Sequence, residues 1–126
     1  MNWTKPCAYD PEHKRAFLAT ARARLRRLAV EFGLTPGSYD LRSNAGGVAV
    51  SGEVTLHTDA VYVQVCQPAT GHDTGILIRT CRGRRDFTGG PNHFVPLALL
   101  DEVPALAARV RQVAPGVGAR KLEAER

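Results

Sequence analysis

Four arginines lie within seven residues, directly after an apolar segment, at Arg79, Arg82, Arg84 and Arg85. A guanidinium group is a fixed fork of charged N–H donors that matches the oxygens of a phosphate or a carboxylate. Thr88 and Asn92 follow, and we expect their side chains, with the backbone amides near Gly89 and Gly90, to add hydrogen bonds to the same anion. Gly83 permits a bend. The segment therefore predicts a polyanion-binding loop.

A purely structural role for this segment is the alternative. Asp86 would then pair with one of the arginines, and residues 89–92 would only form a turn. The glycines do not lead into Lys-Ser/Thr and a helix as in a P-loop, and they do not form a dinucleotide fingerprint. We therefore expect no nucleotide cofactor.

A second group of arginines, Arg15, Arg22 and Arg26, falls on one side of a predicted helix, away from its apolar side. Neither Arg22 nor Arg26 has an acidic residue three or four positions away, so no ion pair within the helix neutralises them. The group could follow a phosphate backbone. The alternative is a solvated helix face, which is what runs of charge usually are.

The histidines and cysteines indicate a functional site less strongly than the arginines do. No two of His13, His57, His72 and His93 have the spacing of metal ligands, so we expect no metal site. Cys81 and His93 could form a nucleophile and base beside the arginines. A cysteine in a strand is more often a small packing residue, and we therefore expect a binding protein before an enzyme.

The composition fits a folded protein with a basic surface. The chain has 126 residues, 44% of them hydrophobic and 23% charged, and a net charge of +5. A positive balance favours polyanionic partners, although a GC-rich genome could also produce the abundance of arginine. The N-terminal residues lack a secretory signal pattern, no apolar run approaches a membrane span, and three widely spaced cysteines do not suggest disulfides. We expect a cytoplasmic location.

The pattern of apolar residues predicts the helices and strands that carry these candidate residues. Asp10 and Pro11 can begin a helix, and its apolar stripe continues to Phe32, which predicts a helix over about 11–33. Apolar alternation predicts strands over 48–57, 61–66 and 76–82, with a shorter one near 39–42. A tight turn at residues 59–60 would pair Leu56 with Val63 and His57 with Tyr62.

A second helix is predicted from Asp101, as its N-cap, to about Ala114. The order α-β-β-β-β-α predicts an α+β fold in which an antiparallel sheet of three to four strands carries an N-terminal and a C-terminal helix on one face. We expect residues 1–114 to form one domain and residues 115–126 to be a flexible tail.

The sequence leaves two functions open. The first is a small basic module that binds a polyanion, nucleic acid before others, through the loop arginines, with the helix arginines as a secondary contact. The second is a protein-interaction module, such as an inhibitor or adaptor that docks on an acidic or nucleic-acid-binding surface of a larger bacterial protein. The face of the sheet away from the helices could also form a homodimer.

Overall fold

A computed structural model describes residues 1–68 and 74–118 of the chain. The regular elements, in chain order, are α1 (Pro11–Glu31), β1 (Asp40–Asn44), β2 (Glu53–His57), β3 (Val61–Cys66), β4 (Ile76–Thr80), β5 (His93–Val95), a 3₁₀ helix (Leu97–Asp101) and α2 (Val103–Val113). The predicted α+β class, with a helix at each end of an antiparallel sheet, is confirmed.

The first helix forms as the sequence predicts. The Asp10 side chain accepts a hydrogen bond from the backbone N–H of His13, which satisfies one of the free amides at the start of the helix. The predicted apolar stripe, from Phe17 through Leu25 to Phe32, is buried. Burial of this stripe against the sheet anchors α1, because a helix in water gains most of its stability from such packing.

The five strands form a meander in which each strand pairs with the next along the chain, all of them antiparallel. The predicted register of the β2–β3 hairpin is confirmed, with Leu56 opposite Val63 and His57 opposite Tyr62. Thr58 closes the turn, since its hydroxyl oxygen accepts hydrogen bonds from the N–H groups of Ala60 and Val61.

Two strand predictions need correction. The predicted strand over 48–57 begins only at Glu53, because Gly52 has a φ of +78° that an extended strand does not allow. Val48 and Val50 precede it and are exposed. The sequence also missed β5, whose three residues pair with β4 and extend the sheet.

The start of the second helix also differs from the prediction. Asp101 ends the 3₁₀ helix, and α2 begins at Val103 without a side-chain cap. The Asp101 carboxylate instead accepts a hydrogen bond from Trp3 Nε1 at 2.9 Å and pairs with Arg24 at 3.4 Å. Those contacts tie the N-terminal segment and α1 to the start of α2.

Both helices pack on one face of the sheet, where they bury Val54, Leu56, Val63, Val65 and Ile78 in a shared apolar core. The opposite face, here called the open face, carries the alternate residues of each strand, including Tyr62, Gln64, Leu77, Arg79 and Phe94. No helix formed by residues 1–68 and 74–118 covers that face, and it is therefore where the loops and the exposed side chains of the sheet can meet a partner.

Within residues 1–68 and 74–118, no helix has the length and apolar character needed to cross a membrane.

The end of the described chain packs against α1. Residues 115–118 form a turn, and Val117 is buried. The remainder of the tail predicted to be flexible, residues 119–126, lies outside the described residues, as does His72.

Candidate nucleic-acid interface

Arg79 lies on the open face of β4, opposite Tyr62. Its guanidinium carbon lies 4.1 Å from the centre of the Tyr62 ring, and its Nη2 donates to the carbonyl of Phe87 at 2.9 Å. Tyr62 is therefore only 9% exposed. The arginine, and not the tyrosine ring, is what a ligand would meet at this position.

Asp86 organises the loop that follows β4. Its carboxylate accepts hydrogen bonds from the backbone N–H groups of Arg82, Thr88 and Gly89 and from the Thr88 hydroxyl, over distances of 3.0–3.2 Å. The backbone amides of Arg82 and Gly89 and the Thr88 hydroxyl hold the pKa of Asp86 well below its usual range, because each bond favours the charged form. Asp86 thus closes residues 82–89 into one turn-rich unit.

This network changes the predicted role of the loop backbone. The Gly89 amide and the Thr88 hydroxyl both donate to Asp86, and the Gly90 amide donates to the Thr80 carbonyl at 3.0 Å. These donors are already used inside the protein, so an anion would have to displace them. Among the expected ligand groups in the described residues, the side chains of Arg82, Arg85 and Asn92 make no hydrogen bond within the protein, whereas Arg79 and Arg84 donate to backbone carbonyls. Asp86 itself bonds to backbone amides and not to an arginine side chain.

Arg84 ties the loop to the sheet. Its Nη1 donates to the Gly37 carbonyl at 2.9 Å, and the guanidinium lies 3.7 Å from a carboxylate oxygen of Asp40 and 3.9 Å from one of Asp59. Two nearby carboxylates offset its charge. These contacts hold Arg84 in place, and its contact with a ligand stays a prediction.

Arg82 and Arg85 are exposed on the outside of this loop. In the described part of the chain, neither side chain has a carboxylate within ion-pair distance. Asn92, the other predicted contact, is exposed directly before β5. The structure thus brings Arg79, Arg82 and Arg85 to the same end of the open face, on a loop whose backbone is held from within.

His57 lies beneath this loop, a position that the sequence analysis did not predict. The ring is fully buried, with Nε2 3.0 Å from the Gly83 carbonyl and Nδ1 3.2 Å from Arg42 Nη2. A neutral ring that donates from Nε2 and accepts at Nδ1 satisfies both contacts. Burial lowers the pKa of His57, and the Arg42 charge adds to that effect against the opposing Gly83 bond.

Two phenylalanines, Phe87 and Phe94, are the largest departure from the predicted site. Phe87 packs edge to face on His57, with ring centroids 5.3 Å apart, and Arg42 lies over its ring at 5.5 Å. Phe94 lies beside Leu77 on the open face. The side chains of Phe87 and Phe94 are 59% and 57% exposed, respectively. Phe87 lies within the glycine-rich loop and Phe94 directly after it. A loop has no alternation, and a three-residue strand has too little of it, to assign a face from the sequence.

The helix arginines are on the other side of the molecule. α1 packs on the face of the sheet opposite Arg79, so the sheet separates the two groups. Arg15 and Arg26 are exposed, while Arg22 Nη1 donates to Ser43 Oγ at 3.0 Å near the outer edge of β1. A ligand on the open face would have to pass around this edge to reach them.

Among the described residues, the cysteines and histidines do not form a chemical site. Cys81 Sγ donates to the Thr58 carbonyl at 3.3 Å, and burial raises the pKa of its thiol, which is contrary to what a nucleophile needs. His93 is exposed on the edge strand β5. Within the ranges 1–68 and 74–118, no three His, Cys, Asp or Glu side chains come close enough to hold a metal ion.

A cleft of about 530 Å³ lies at the other end of the sheet, between the N-terminal segment and the β1–β2 connection. Its wall includes Glu53 and Cys66. Burial, together with the neighbouring Glu53 charge, raises the pKa of the Cys66 thiol. The wall is otherwise mainly apolar or backbone, so this cleft offers a polyanion less than the loop does.

Comparisons with protein-family models, with curated proteins and with solved structures found no match to this chain.

Proposed function

We propose that this protein is a nucleic-acid-binding module whose contact surface is the arginine-bearing end of the open face. Arg79, Arg82 and Arg85 bind phosphate oxygens there, and Arg84 and Asp86 hold the loop in position. Phosphate contacts fix the position of a protein on a nucleic acid but carry little sequence information, so we expect broad specificity.

The observation that supports this proposal most is the internal anchoring of the loop. Asp86 and Arg84 fix residues 82–89, while Arg82 and Arg85 extend outward without an ion-pair partner among the described residues. A loop that is already ordered loses less conformational entropy when it binds a ligand. The exposed arginines can therefore contribute their charge without first breaking contacts within the protein.

Salt dependence tests the proposal. Each phosphate neutralised by a bound cation changes the slope of log K against log salt by about 0.7 for single strands and about 0.9 for duplexes. We expect the Arg82→Ala/Arg85→Ala variant to lower that slope by roughly 1.4–1.8 and to weaken binding by roughly 1–3 kcal/mol for each lost charge-assisted contact. Fluorescence anisotropy with labelled oligonucleotides over a salt series measures both quantities.

The control is Lys5→Ala/Arg109→Ala, which removes the same charge at two exposed positions away from the open face. It should retain most of the affinity and the slope. Absence of binding at low salt, or an equal loss in both double variants, would contradict the proposed surface. The second result would show that only net charge matters.

A protein-interaction function is the second candidate, and the mixed character of the surface favours it. Asp40 and Asp59 lie beside Arg84, and exposed phenylalanine rings lie nearby, a combination that is also common in protein interfaces. The partner would be an acidic protein surface or a second copy of this chain. A pull-down treated with nuclease separates the two: partners that survive the treatment support a protein interface, and partners that are lost support nucleic acid.

The proposal places the protein in the cytoplasm, where nucleic acid is accessible. The free thiols of Cys7, Cys66 and Cys81 suit a reducing compartment. The exposed arginines of α1 would be a secondary contact for a nucleic acid long enough to pass the edge of β1.

A further inference from the structure

Phe87 and Phe94 expose more than half of their surface at opposite sides of the open face. Phe94 is on the edge strand β5, whereas Phe87 lies over His57 on β2 and beside Arg42 on β1. Strands β2 and β5 are three strand spacings apart, or roughly 14 Å. One planar ligand cannot stack on both rings at once, so the face offers two separate aromatic positions.

Arginine occupies the space between the two rings and beside them. Arg79 extends from β4, the neighbour of β5, and donates to the Phe87 carbonyl, so it lies between the two phenylalanines. Arg42 lies over the Phe87 ring itself. Alternating aromatic rings and cations fit a chain of alternating bases and phosphates, because the rings accept base faces and the guanidinium groups accept the charge.

We propose that the open face binds single-stranded nucleic acid, with separate bases stacked on Phe94 and Phe87 and the intervening backbone on Arg79. A duplex does not satisfy this arrangement, because its bases are stacked on each other and their faces are closed to the phenylalanines. This inference deepens the proposed function and depends on it. It adds the form of the nucleic acid and two contact residues that the arginines alone would not select.

Phe94 is the residue that tests this inference. It is exposed at the edge of the sheet and has no packing role in the core, so its replacement should leave the fold intact. Phe94→Leu keeps an apolar side chain but removes the aromatic face, whereas Phe94→Trp keeps and enlarges that face. Val48→Leu, another exposed apolar position outside the open face, is the matched control.

The experiment compares one short labelled oligonucleotide of mixed sequence with the same oligonucleotide annealed to its complement. We expect the full chain to bind the single strand more tightly. Phe94→Leu should lose roughly 5- to 100-fold of that affinity, while Phe94→Trp and the control stay close to the unchanged protein. With 2-aminopurine in the single strand, stacking should also quench its fluorescence in the unchanged protein and less in Phe94→Leu.

Failure of this inference differs from failure of the proposed function. Salt-dependent binding that is equal for duplex and single strand, or is unaffected by Phe94→Leu, would overturn the stacking proposal and leave a phosphate-binding surface. No binding of either nucleic acid would overturn both. A wild-type dimer that Phe94→Leu dissociates, measured by sedimentation, would instead assign the face to a second copy. Far-UV circular dichroism of each variant shows that the fold is retained.

Discussion

His57 shows how one buried residue supports the loop. Its ring contacts elements from across the open face: Arg42 on β1, Tyr62 on β3, and Gly83 and Phe87 in the loop. The charges that act on it are those of Arg42, Arg79 and Asp40. A proton on Nδ1 would remove the acceptor for Arg42 and add a cation beside it, so the neutral ring is the form that the loop requires.

The pKa of His57 predicts a pH dependence of stability. Because its pKa is lower in the folded than in the unfolded protein, the unfolded state takes up a proton first as the pH falls. At pH values well above about 6.5, the pKa of histidine in the unfolded state, His57 therefore does not lower the stability of the protein. As the pH falls from about 7 toward the pKa of the folded state, the free energy of unfolding should decrease.

His57→Gln tests this prediction, because glutamine keeps one donor and one acceptor but does not titrate in this range. Urea unfolding at several pH values between about 8 and 5 should show a smaller decrease in stability for the variant than for the unchanged protein. His93→Gln, at an exposed histidine, is the control and should keep the decrease. Equal pH profiles for His57→Gln and the unchanged protein would contradict the role of His57.

The loop between β4 and β5 depends on Gly89 and not on Gly83, the glycine that the sequence suggested for its bend. Gly83 has an ordinary negative φ and open space where a Cβ would lie. Gly89 has a φ of +59°, and a Cβ there would lie 2.6 Å from the Thr80 carbonyl oxygen. Only Gly89 combines a left-handed backbone with a close approach to the sheet.

Alanine at each glycine separates the two positions. Gly89→Ala should lower the free energy of unfolding by roughly 1–3 kcal/mol, because it adds backbone strain and a clash with β4. Gly83→Ala should change it by no more than about 0.5 kcal/mol. Chemical denaturation measures both. A Gly83→Ala variant as unstable as Gly89→Ala would show that the bend at residue 83 carries the strain.

The helices and strands show which parts of the fold could be predicted from the sequence. The α1 stripe and the β2–β3 register follow from local periodicity, and both were confirmed because buried apolar faces leave one consistent arrangement. The strand at β5 and the 3₁₀ helix were missed, because three to five residues carry little periodic signal. Asp101 was assigned as a cap, since the sequence cannot show that Trp3 and Arg24 compete for its carboxylate.

In the candidate site, too, local sequence patterns predicted some features, whereas contacts between distant residues determined others. Arg79 and Tyr62 share the open face, which strand alternation alone is enough to derive. Whether an arginine is free or paired depends on contacts between distant residues, such as Arg84 with Gly37 and Asp40, and those contacts have no signal in local sequence. The two exposed phenylalanines were overlooked for the same reason, because their face is set by how the loop returns to the sheet.

At the scale of the molecule, the sheet separates two basic regions and leaves one face without helices. The helix arginines lie with α1, and the loop arginines lie on the open face with Phe87 and Phe94. Charge alone does not distinguish these two basic regions from each other. Among the described residues, the open face has two exposed phenylalanine rings beside the loop that carries the exposed Arg82 and Arg85, and this is the contact surface that we propose.

The most direct test is a residue-resolved map of the bound surface. Backbone and side-chain NMR shifts of the full chain would be followed during titration with a short single-stranded oligonucleotide. We predict the largest changes at Arg79, Arg82, Arg85, Phe87 and Phe94, with small changes along α1 and around the cleft. Changes concentrated at Arg15, Arg22 and Arg26, or at Glu53 and Cys66, would contradict the account and place the contact elsewhere.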